Sequence, residues 1–178
     1  MTLALYSWLM WAIQPLLRSK LRRRGLKEPG YLEHIEERFG VYTNPIKTQT
    51  QEPSTSKICV WVHAVSLGET RAAEVLLHAL RAEYPGVRIV LTHGTATGRD
   101  LGASLLKEGD VQVWQPWDTP AIVQRFLQYF QPHLAVVLET EVWPNWVAQC
   151  KRANIAMVLV NARMSEKSMR SAQRLAWL

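Results

Sequence analysis

The sequence predicts an α/β domain with a parallel β-sheet and helices on both of its faces. From Lys57 onward, five short apolar runs alternate with four helical patterns. Apolar runs without polar alternation indicate strands buried on both faces, and a helix between two runs provides the crossover that parallel strands need. The predicted strands are Ile58–Val62, Val87–Leu91, Val111–Trp114, Leu134–Leu138 and Ile155–Val160, and the predicted helices are Glu69–Glu83, Gly98–Leu106, Pro120–Phe130 and Pro144–Ala153.

Two helix starts carry capping signals that support this division. Thr119 precedes Pro120, which is the pattern of an N-cap followed by proline at the first helical position. Thr97 is followed three residues later by Asp100, the spacing of a capping box. Both signals place a helix start directly after a predicted strand and its loop.

Length and composition fit one globular domain with an acidic partner. The 178 residues are too few for two full α/β lobes, and 48% hydrophobic with 20% charged residues excludes a disordered chain. The net charge of +6 favours anionic lipid, a phosphorylated substrate or nucleic acid as a partner. Cys59 and Cys150 lie on apolar stretches without metal-ligand spacing, which predicts two buried reduced thiols.

The N-terminal run Leu3–Leu17 is apolar apart from Ser7 and Gln14. It is shorter than the 18 or more residues that predict a spanning helix, and the basic residues follow it instead of preceding it as in a signal peptide. We predict an uncleaved membrane anchor that spans or lies in the interface, with its basic flank on the cytoplasmic side. The alternative is an amphipathic helix packed on its own domain. The basic flank consists of Arg18, Lys20, Arg22, Arg23 and Arg24.

Two further segments join the anchor to the sheet. Gly30–Gly40 has apolar residues at helical spacing and predicts a short amphipathic helix, and the polar stretch 43–56 predicts a mobile linker. The basic stretch before Leu178 has no stop signal, so we expect the chain to be the front part of a longer protein. The predicted division is an anchor over 1–24, a connecting helix and linker over 25–56, and the sheet domain over 57–178.

Polar side chains follow every predicted strand. Because ligands bind at the carboxyl ends of parallel strands, these segments predict a binding site along one edge of the sheet. The segments are HAVSLGE (63–69), HGTATGR (93–99), QPWDTP (115–120), ETEVWPN (139–145) and NARMSEKS (161–168).

Glu69 has two interpretations that the residues alone leave open. Ser66 and Glu69 match a capping box, in which the serine and the glutamate satisfy free amides at the helix start. The same carboxylate stands where a catalytic base could meet an acceptor hydroxyl. A helix N-terminus favours the ionised carboxylate, which counts slightly against a strong base.

Glu139 and Glu141 follow the fourth predicted strand directly. We predict that the two carboxylates do not form a pair that shares a proton. One is expected to face the site while the other anchors a loop, and helix-start carboxylates ahead of Pro144 are the alternative.

Several familiar sites are excluded or disfavoured. The glycines of 93–99 do not have the spacing of a dinucleotide fingerprint, although this loop can offer amides to an anion beside Arg99. His63 and His93 lack the Cys or Asp neighbours of a zinc site, so no metal is predicted. Arg163 is a candidate for binding phosphate or carboxylate.

The chain resembles the N-terminal half of the 3-deoxy-D-manno-octulosonic acid (Kdo) transferases. The resemblance rests on HAVSLGE, LETEVWPN and NARMSEKS in this order, with support from the IQPLL run and its basic flank, PWDTP and RFLQYFQP. It covers nearly the whole chain. It implies an N-terminal membrane anchor and the acceptor-binding lobe of a GT-B glycosyltransferase, in which two Rossmann-like lobes face each other across a cleft.

The resemblance also implies a reaction and its site. The enzyme would transfer Kdo from CMP-Kdo to the lipid A precursor of lipopolysaccharide at the cytoplasmic face of the inner membrane, with inversion and without metal or cofactor. The donor would bind mostly to a second lobe, and nucleic acid is not an expected partner. Glu69 matches the family's general base, and Glu139 or Glu141 matches a second catalytic glutamate. The expected acceptor-binding residues are Ser66, Gly68, Thr95, Thr97, Arg99, Asn161 and Arg163.

The chain departs from the family pattern in two loops. Gly94–Gly98 stands where a Thr-Pro-Thr-Gly loop is usual, and Trp117 replaces a tyrosine before the aspartate. These changes affect acceptor contacts more than the reaction class. The rival hypotheses are a membrane-anchored binding module without catalysis, and a transferase with another lipid-linked acceptor.

Overall fold

The computed structural model describes residues 2–43, 58–139, 141 and 143–162. Within them, six α-helices and five strands follow one another with two short 3-10 helices, Pro29–Tyr31 and Ile35–Phe39. The elements are α1 Leu3–Ala12, α2 Gln14–Gly25, β1 Cys59–His63, α3 Leu67–Glu83, β2 Arg88–His93, α4 Ala96–Leu105, β3 Val111–Trp114, α5 Pro120–Phe130, β4 Leu134–Leu138, α6 Pro144–Arg152 and β5 Ala156–Val160.

The five strands form one parallel sheet in the order β3-β2-β1-β4-β5. The predicted parallel α/β sheet is therefore confirmed, and all five predicted strands and all four predicted helices of this domain are present. This order is the 3-2-1-4-5 arrangement of Rossmann-like sheets. The carboxyl ends of all five strands lie at one edge, where the polar segments of the sequence were expected to meet.

The two faces of the sheet are covered by different side chains. On the face toward α3 and α4 the core is aliphatic and includes Val62, Leu77 and Leu91. On the face toward α5 and α6 it is aromatic, and the Trp61 ring lies 4.5 Å from the Phe126 ring. Successive residues of β1 alternate between these two cores because strand side chains alternate between faces.

The segment predicted as an amphipathic helix, Gly30–Gly40, is not an α-helix. Two 3-10 turns replace it, separated by His34, whose φ of 51° is left-handed. A left-handed residue interrupts the α-helical hydrogen bonds. Each turn instead closes with hydrogen bonds between residues three apart, such as that from the Gly40 amide to the Glu37 carbonyl at 3.0 Å. The predicted stop is confirmed, because Gly40 ends the segment with a φ of 79°.

The predicted membrane-anchor helix is not confirmed as one continuous element. Helix α1 ends at Ala12, and α2 begins at Gln14 with Pro15 in its first turn. Proline lacks the amide that would continue α1 through this point. Among the described residues, no helix has both the length and the apolar character needed to cross a bilayer.

Helix α1 nevertheless presents an unusual surface. Met10 is buried against the domain, whereas Trp8 and Trp11 are 62% and 65% exposed. The other exposed apolar side chains of this helix are Leu3, Leu5 and Leu9. One face of α1 packs on the domain, as the alternative predicted, the other face is apolar and exposed, and membrane association remains a prediction.

Most of the predicted linker, residues 44–56, and the basic stretch from 163 onward lie outside the described residues. Arg163 lies there too. The predicted domain limits remain a prediction, although the 3-10 segment packs tightly on the sheet domain, as the next section describes.

Candidate functional site

The sheet order creates a crevice between the loops that follow β1 and β4. From β1 the chain continues through β2 to β3 on one side, whereas β4 and β5 lie on the other side of β1. Connections that depart in opposite directions leave a gap at the carboxyl ends of the two central strands, and this gap is where open α/β sheets bind ligands. Glu69 follows β1, and Glu139 and Glu141 follow β4.

The loop after β1 holds Glu69 by hydrogen bonds from its own backbone and side chains. The Ser66 hydroxyl accepts from the Glu69 amide at 3.4 Å and donates to Glu69 Oε1 at 2.9 Å. The Val65 amide donates to Glu69 Oε2 at 2.7 Å. The predicted capping box is confirmed, with the glutamate reaching back one residue beyond the cap.

These contacts leave part of the Glu69 carboxylate available. Glu69 is 8% exposed, and its neighbours Leu67 and Gly68 are exposed. A carboxylate has about four acceptor positions, two on each oxygen. Two of these are used, so each oxygen can accept one more hydrogen bond from a group that reaches it.

The loop after β2 supports the β1 loop from the side. The Val65 carbonyl accepts from the Gly94 amide at 3.1 Å and from the Thr95 amide and hydroxyl, both at 3.0 Å. A Cβ on Gly98 would lie 3.1 Å from the Val65 carbonyl oxygen and from the Ser66 carbonyl carbon. Gly98 therefore permits a close approach that fixes the β1 loop.

The predicted N-cap at Thr97 is wrong by two residues. Thr95 caps α4, and its hydroxyl accepts from the Gly98 amide at 3.2 Å. Thr97 lies in the first turn with its side chain exposed. The contacts of Thr95 with the Val65 carbonyl select it over Thr97.

The loop after β4 is held differently. Glu139 adopts a left-handed φ of 59°, a conformation that strains a residue other than glycine, and its amide donates to the Val160 carbonyl at 2.9 Å. Trp143 Nε1 donates to Glu141 Oε2 at 2.8 Å. The turn at Glu139 directs the chain from the sheet towards α6.

Glu141 lies in the electrostatic field of Glu69. Burial raises the pKa of Glu141 above its ordinary value, the hydrogen bond from Trp143 opposes this rise, and the negative charge of Glu69 adds to it. The structure thus brings together one carboxylate from each side of the crevice. For Glu139 it shows the backbone turn that makes this possible.

Arg99 is engaged away from the carboxylates. Its guanidinium donates to Glu37 Oε2 at 2.8 Å in a largely buried ion pair and lies 4.9 Å from the centre of the Trp114 ring. Asn161 lies at the end of the edge strand β5, exposed and with a left-handed φ of 53°. Their roles in acceptor binding remain predictions, and so does that of Arg163.

The 3-10 segment forms a wall of this edge, which no motif in the sequence indicated. Arg38 is 6% exposed and donates to the Gly94 carbonyl at 3.0 Å, and its guanidinium lies 3.9 Å above the Trp114 ring. Burial lowers the pKa of Arg38 to about 9. Glu37 accepts from the Trp114 amide at 2.9 Å. These contacts join β3 and the loop after β2 to residues 77 and 56 positions earlier in the chain, respectively.

The two histidines at strand ends are core residues. Burial lowers the pKa of His63 to about 3 and that of His93 to about 4, so both rings are neutral at pH 7. His63 Nδ1 lies 2.9 Å from the Thr92 hydroxyl, and the His63 ring meets the edge of Trp146. In the part of the chain that the structure describes, no three His, Cys, Asp or Glu side chains are grouped to hold a metal ion.

Two cavities lie away from this edge. One, of about 160 Å³, lies between α3 and α4 and includes His78 and Arg81 in its wall, and the other, of about 550 Å³, opens beside Tyr42 and Arg125. Neither touches Glu69 or Glu141. We place the candidate site at the crevice because its chemistry and its position in the sheet agree.

Comparison with known proteins identifies the family. The family model described as 3-Deoxy-D-manno-octulosonic-acid transferase (kdotransferase) matches residues 33–178. The chain belongs to the Kdo transferase family. That match includes both glutamate loops and the 3-10 turn that ends at Gly40.

Individual relatives agree with the family match. The Kdo transferase of Bordetella pertussis is 37% identical over 97% of this chain and 39% of its own length. The Kdo transferase of Haemophilus influenzae is 33% identical over 92% of the chain and 36% of its own length. A probable mitochondrial Kdo transferase of Arabidopsis thaliana is 31% identical over 92% and 35%, respectively. The chain therefore spans less than two fifths of the length of these relatives.

Proposed function

We propose that this chain is the acceptor-binding lobe of a GT-B glycosyltransferase that transfers Kdo from CMP-Kdo to the lipid A precursor of lipopolysaccharide. Membership of the Kdo transferase family supports the reaction class. The observation that carries the proposal is the position of Glu69 and Glu141 in the loops that follow the neighbouring strands β1 and β4, where the charge of Glu69 adds to the raised pKa of Glu141. The donor would bind mostly to a second lobe, with no cofactor.

Glu69 is the proposed general base. An acceptor hydroxyl donates to a free acceptor position of the Glu69 carboxylate and transfers its proton there as its oxygen attacks the anomeric carbon of Kdo. The bond from that carbon to CMP breaks, CMP leaves with the electron pair, and the configuration inverts. No step requires a metal.

Glu141 is the proposed neighbour of Glu69 that does not compete with it for the proton of the acceptor hydroxyl. Burial and the negative charge of Glu69 both raise the pKa of Glu141, so the crevice favours the protonated form of Glu141. Its hydrogen bond from Trp143 holds it beside Glu69. Protonation of Glu141 would leave Glu69 as the carboxylate that takes the proton of the acceptor.

The N-terminal helices supply a reason for working at a membrane. The exposed tryptophans of α1 and the exposed basic residues of α2 suit the apolar and anionic layers of a lipid surface. We place the protein at the cytoplasmic face of the inner membrane, where a lipid acceptor diffuses in two dimensions. Phospholipid is then a partner as well as the substrate.

The test is Glu69→Gln in the full-length protein. Loss of a general base should lower kcat for Kdo transfer from CMP-Kdo by about 10²–10⁴-fold, measured by chromatography of labelled acceptor. Glu83→Gln is the matched control, because Glu83 is an exposed carboxylate at the far end of the same helix. Circular dichroism checks that both variants fold.

Each outcome separates one part of the proposal. Near wild-type transfer by the Glu69→Gln variant would reject the base. Absence of transfer by the wild-type protein, with other lipid-linked acceptors used instead, would reject the substrate. If the full-length wild type binds the acceptor and transfers nothing, the chain is a binding module.

A further inference from the structure

Helix α1 is joined to the strand-end loops by polar contacts that an apolar helix does not need for packing. The Ser7 hydroxyl lies 2.8 Å from Asn145 Oδ1 and 2.7 Å from the Leu3 carbonyl, so its proton is shared between them. Trp117 Nε1 donates to the Met10 carbonyl at 2.8 Å. Burial raises the pKa of Asp118, and the nearby Tyr6 hydroxyl opposes that rise.

Asp118 is the centre of these contacts. It is 0% exposed, and its two oxygens accept from the Asn145 amide at 3.2 Å and the Trp146 amide at 3.0 Å at the start of α6. Asn145 Nδ2 donates in turn to the Asp118 carbonyl at 2.8 Å. A buried carboxylate needs such partners because burial without them is costly. Asp118 therefore connects α1, the loop after β3 and the start of α6.

The same region continues to the candidate carboxylates. The Trp117 and Trp143 rings lie 6.5 Å apart, and Trp143 also contacts Trp146 at 5.8 Å between ring centres. Trp143 holds Glu141, which lies in the field of Glu69. Packed side chains thus run without a break from the exposed helix α1 to the crevice.

We propose that Tyr6, Ser7, Asp118 and Asn145 form a polar clip that holds α1 in one orientation to the crevice, so that these are positioning residues for transfer at a lipid surface. This rests on the proposed function. When the apolar face of α1 enters a bilayer, the clip carries that placement to the loop of Glu141. Without the clip, α1 still binds lipid but no longer fixes how the crevice faces the membrane.

The test removes the side-chain contacts of α1 and keeps the hydrogen bonds from the start of α6 to Asp118. The variant is Tyr6→Phe/Ser7→Ala in the full-length protein, bound to vesicles of phosphatidylethanolamine and phosphatidylglycerol that contain the acceptor. Its control is Tyr84→Phe/Ser104→Ala, which removes one tyrosine and one serine hydroxyl from exposed positions. The Ser104 hydroxyl donates to a backbone carbonyl of its own helix, that of Leu101, as the Ser7 hydroxyl does to that of Leu3. Spin labels attached at Ala4→Cys and Val147→Cys report the distance from α1 to α6. Both positions are exposed, whereas Cys59 and Cys150 are buried, so the label reacts with the introduced cysteines.

We expect three results together. The label distance has one narrow distribution in the wild type and the control on vesicles and a broad one in the Tyr6→Phe/Ser7→Ala variant. Vesicle affinity is unchanged, and thermal stability falls only slightly, because Asp118 keeps its two amide donors and α1 keeps its bond from Trp117. The kcat with vesicle-embedded acceptor falls by roughly threefold to thirtyfold in that variant, the range of coupling through a packed network.

A narrow distance in the Tyr6→Phe/Ser7→Ala variant overturns the clip, whatever the activity. A broad distance with unchanged kcat overturns the positioning role. If the wild type transfers no Kdo at all, the proposed function fails, while the distance measurement still decides whether the clip exists.

Discussion

The loops after β1 and β4 place one carboxylate each at the same crevice and hold it in different ways. The Glu69 carboxylate accepts two hydrogen bonds from its own loop, and the next strand's loop supports the backbone around it. Glu141 accepts one bond from Trp143, in a chain that has just passed the strained residue Glu139. The first loop is fixed locally, and the second depends on packing around α6.

This difference separates the two groups chemically. Hydrogen bonds from an amide and a hydroxyl favour a charged carboxylate, whereas burial disfavours it. Glu69 has the former and Glu141 shows the effect of the latter. The two glutamates therefore differ in their surroundings, which is the basis for proposing different roles for them.

The largest expected effect tests this division of roles directly. Glu141→Gln should lower kcat about tenfold, well short of the loss for Glu69→Gln, because the glutamine amide oxygen can still accept the hydrogen bond from Trp143 Nε1. The converse is a titration. The Glu69→Gln variant should show a lower pKa of Glu141 than the wild type, measured by NMR of ¹³C-labelled glutamate carboxyl groups.

Equal losses in the two variants would mean that both glutamates act as one unit, and an unchanged Glu141 titration would mean that the carboxylates do not interact. Glu83→Gln serves again as the control.

The next effect concerns His63, which ends β1 and packs against Trp146 behind the second loop. Its pKa is about 3 in the folded protein and about 6.5 in an unfolded chain. The unfolded state therefore binds a proton that the folded state excludes, and the stabilisation is complete above pH 6.5 and lost as pH falls towards 3. At pH 5 the loss is about 2 kcal/mol for this histidine.

Urea unfolding at pH 7 and pH 5 measures this loss. The His63→Gln variant should lose less stability than the wild type over this interval. Since Asp118 and Glu141 titrate in both proteins, the comparison isolates the histidine. Equal losses would show that His63 is protonated in the folded state.

A smaller effect tests the local fixation of the first loop. Ser66→Ala removes the cap of α3 and the donor to Glu69 Oε1, and should lower the free energy of unfolding by about 1 kcal/mol. Thr119→Ala is a suitable control, because Thr119 occupies the N-cap of α5 without a capping hydrogen bond from its side chain. Equal losses in thermal denaturation would contradict the capping role of Ser66.

The smallest stability effect sharpens the position of the acceptor. A Cβ on Gly68 would lie 3.9 Å from the Ser66 hydroxyl with no closer contact, so Gly68→Ala fits and should stabilise α3 by a few tenths of a kcal/mol, up to about 1 kcal/mol. If the acceptor approaches Glu69 over this surface, KM for the acceptor rises while stability does not fall. An unchanged KM would place the acceptor elsewhere.

Local chemistry in the sequence predicted the sheet and most helix limits. Helix α5 and strands β3 and β4 have the predicted bounds, because Pro120 and the apolar runs act within a few residues. The capping box of Ser66 and Glu69 is equally local. The cap of α4 was predicted at Thr97, and the bond of Thr95 to the carbonyl of Val65, 30 residues earlier, places it at Thr95 instead.

The rest depended on contacts between distant residues. Apolar residues in Gly30–Gly40 have a spacing that suits an α-helix, and nothing local revealed that two 3-10 turns would pack on Trp114. The ion pair of Glu37 and Arg99 joins residues 62 positions apart. The meeting of Glu69 with Glu141 required the order of the strands, which a single sequence does not contain.

The buried carboxylate of Asp118 has a practical consequence for anyone who shortens this protein to improve expression. Removing α1 because of its exposed apolar surface would take away the Tyr6 hydroxyl beside Asp118 and the Met10 carbonyl that accepts from Trp117. The shortened protein would be more soluble because it lacks Trp8 and Trp11, but the buried Asp118 carboxylate and its partners would be exposed to water. Replacing Trp8 and Trp11 with polar residues, with the helix left in place, avoids that damage.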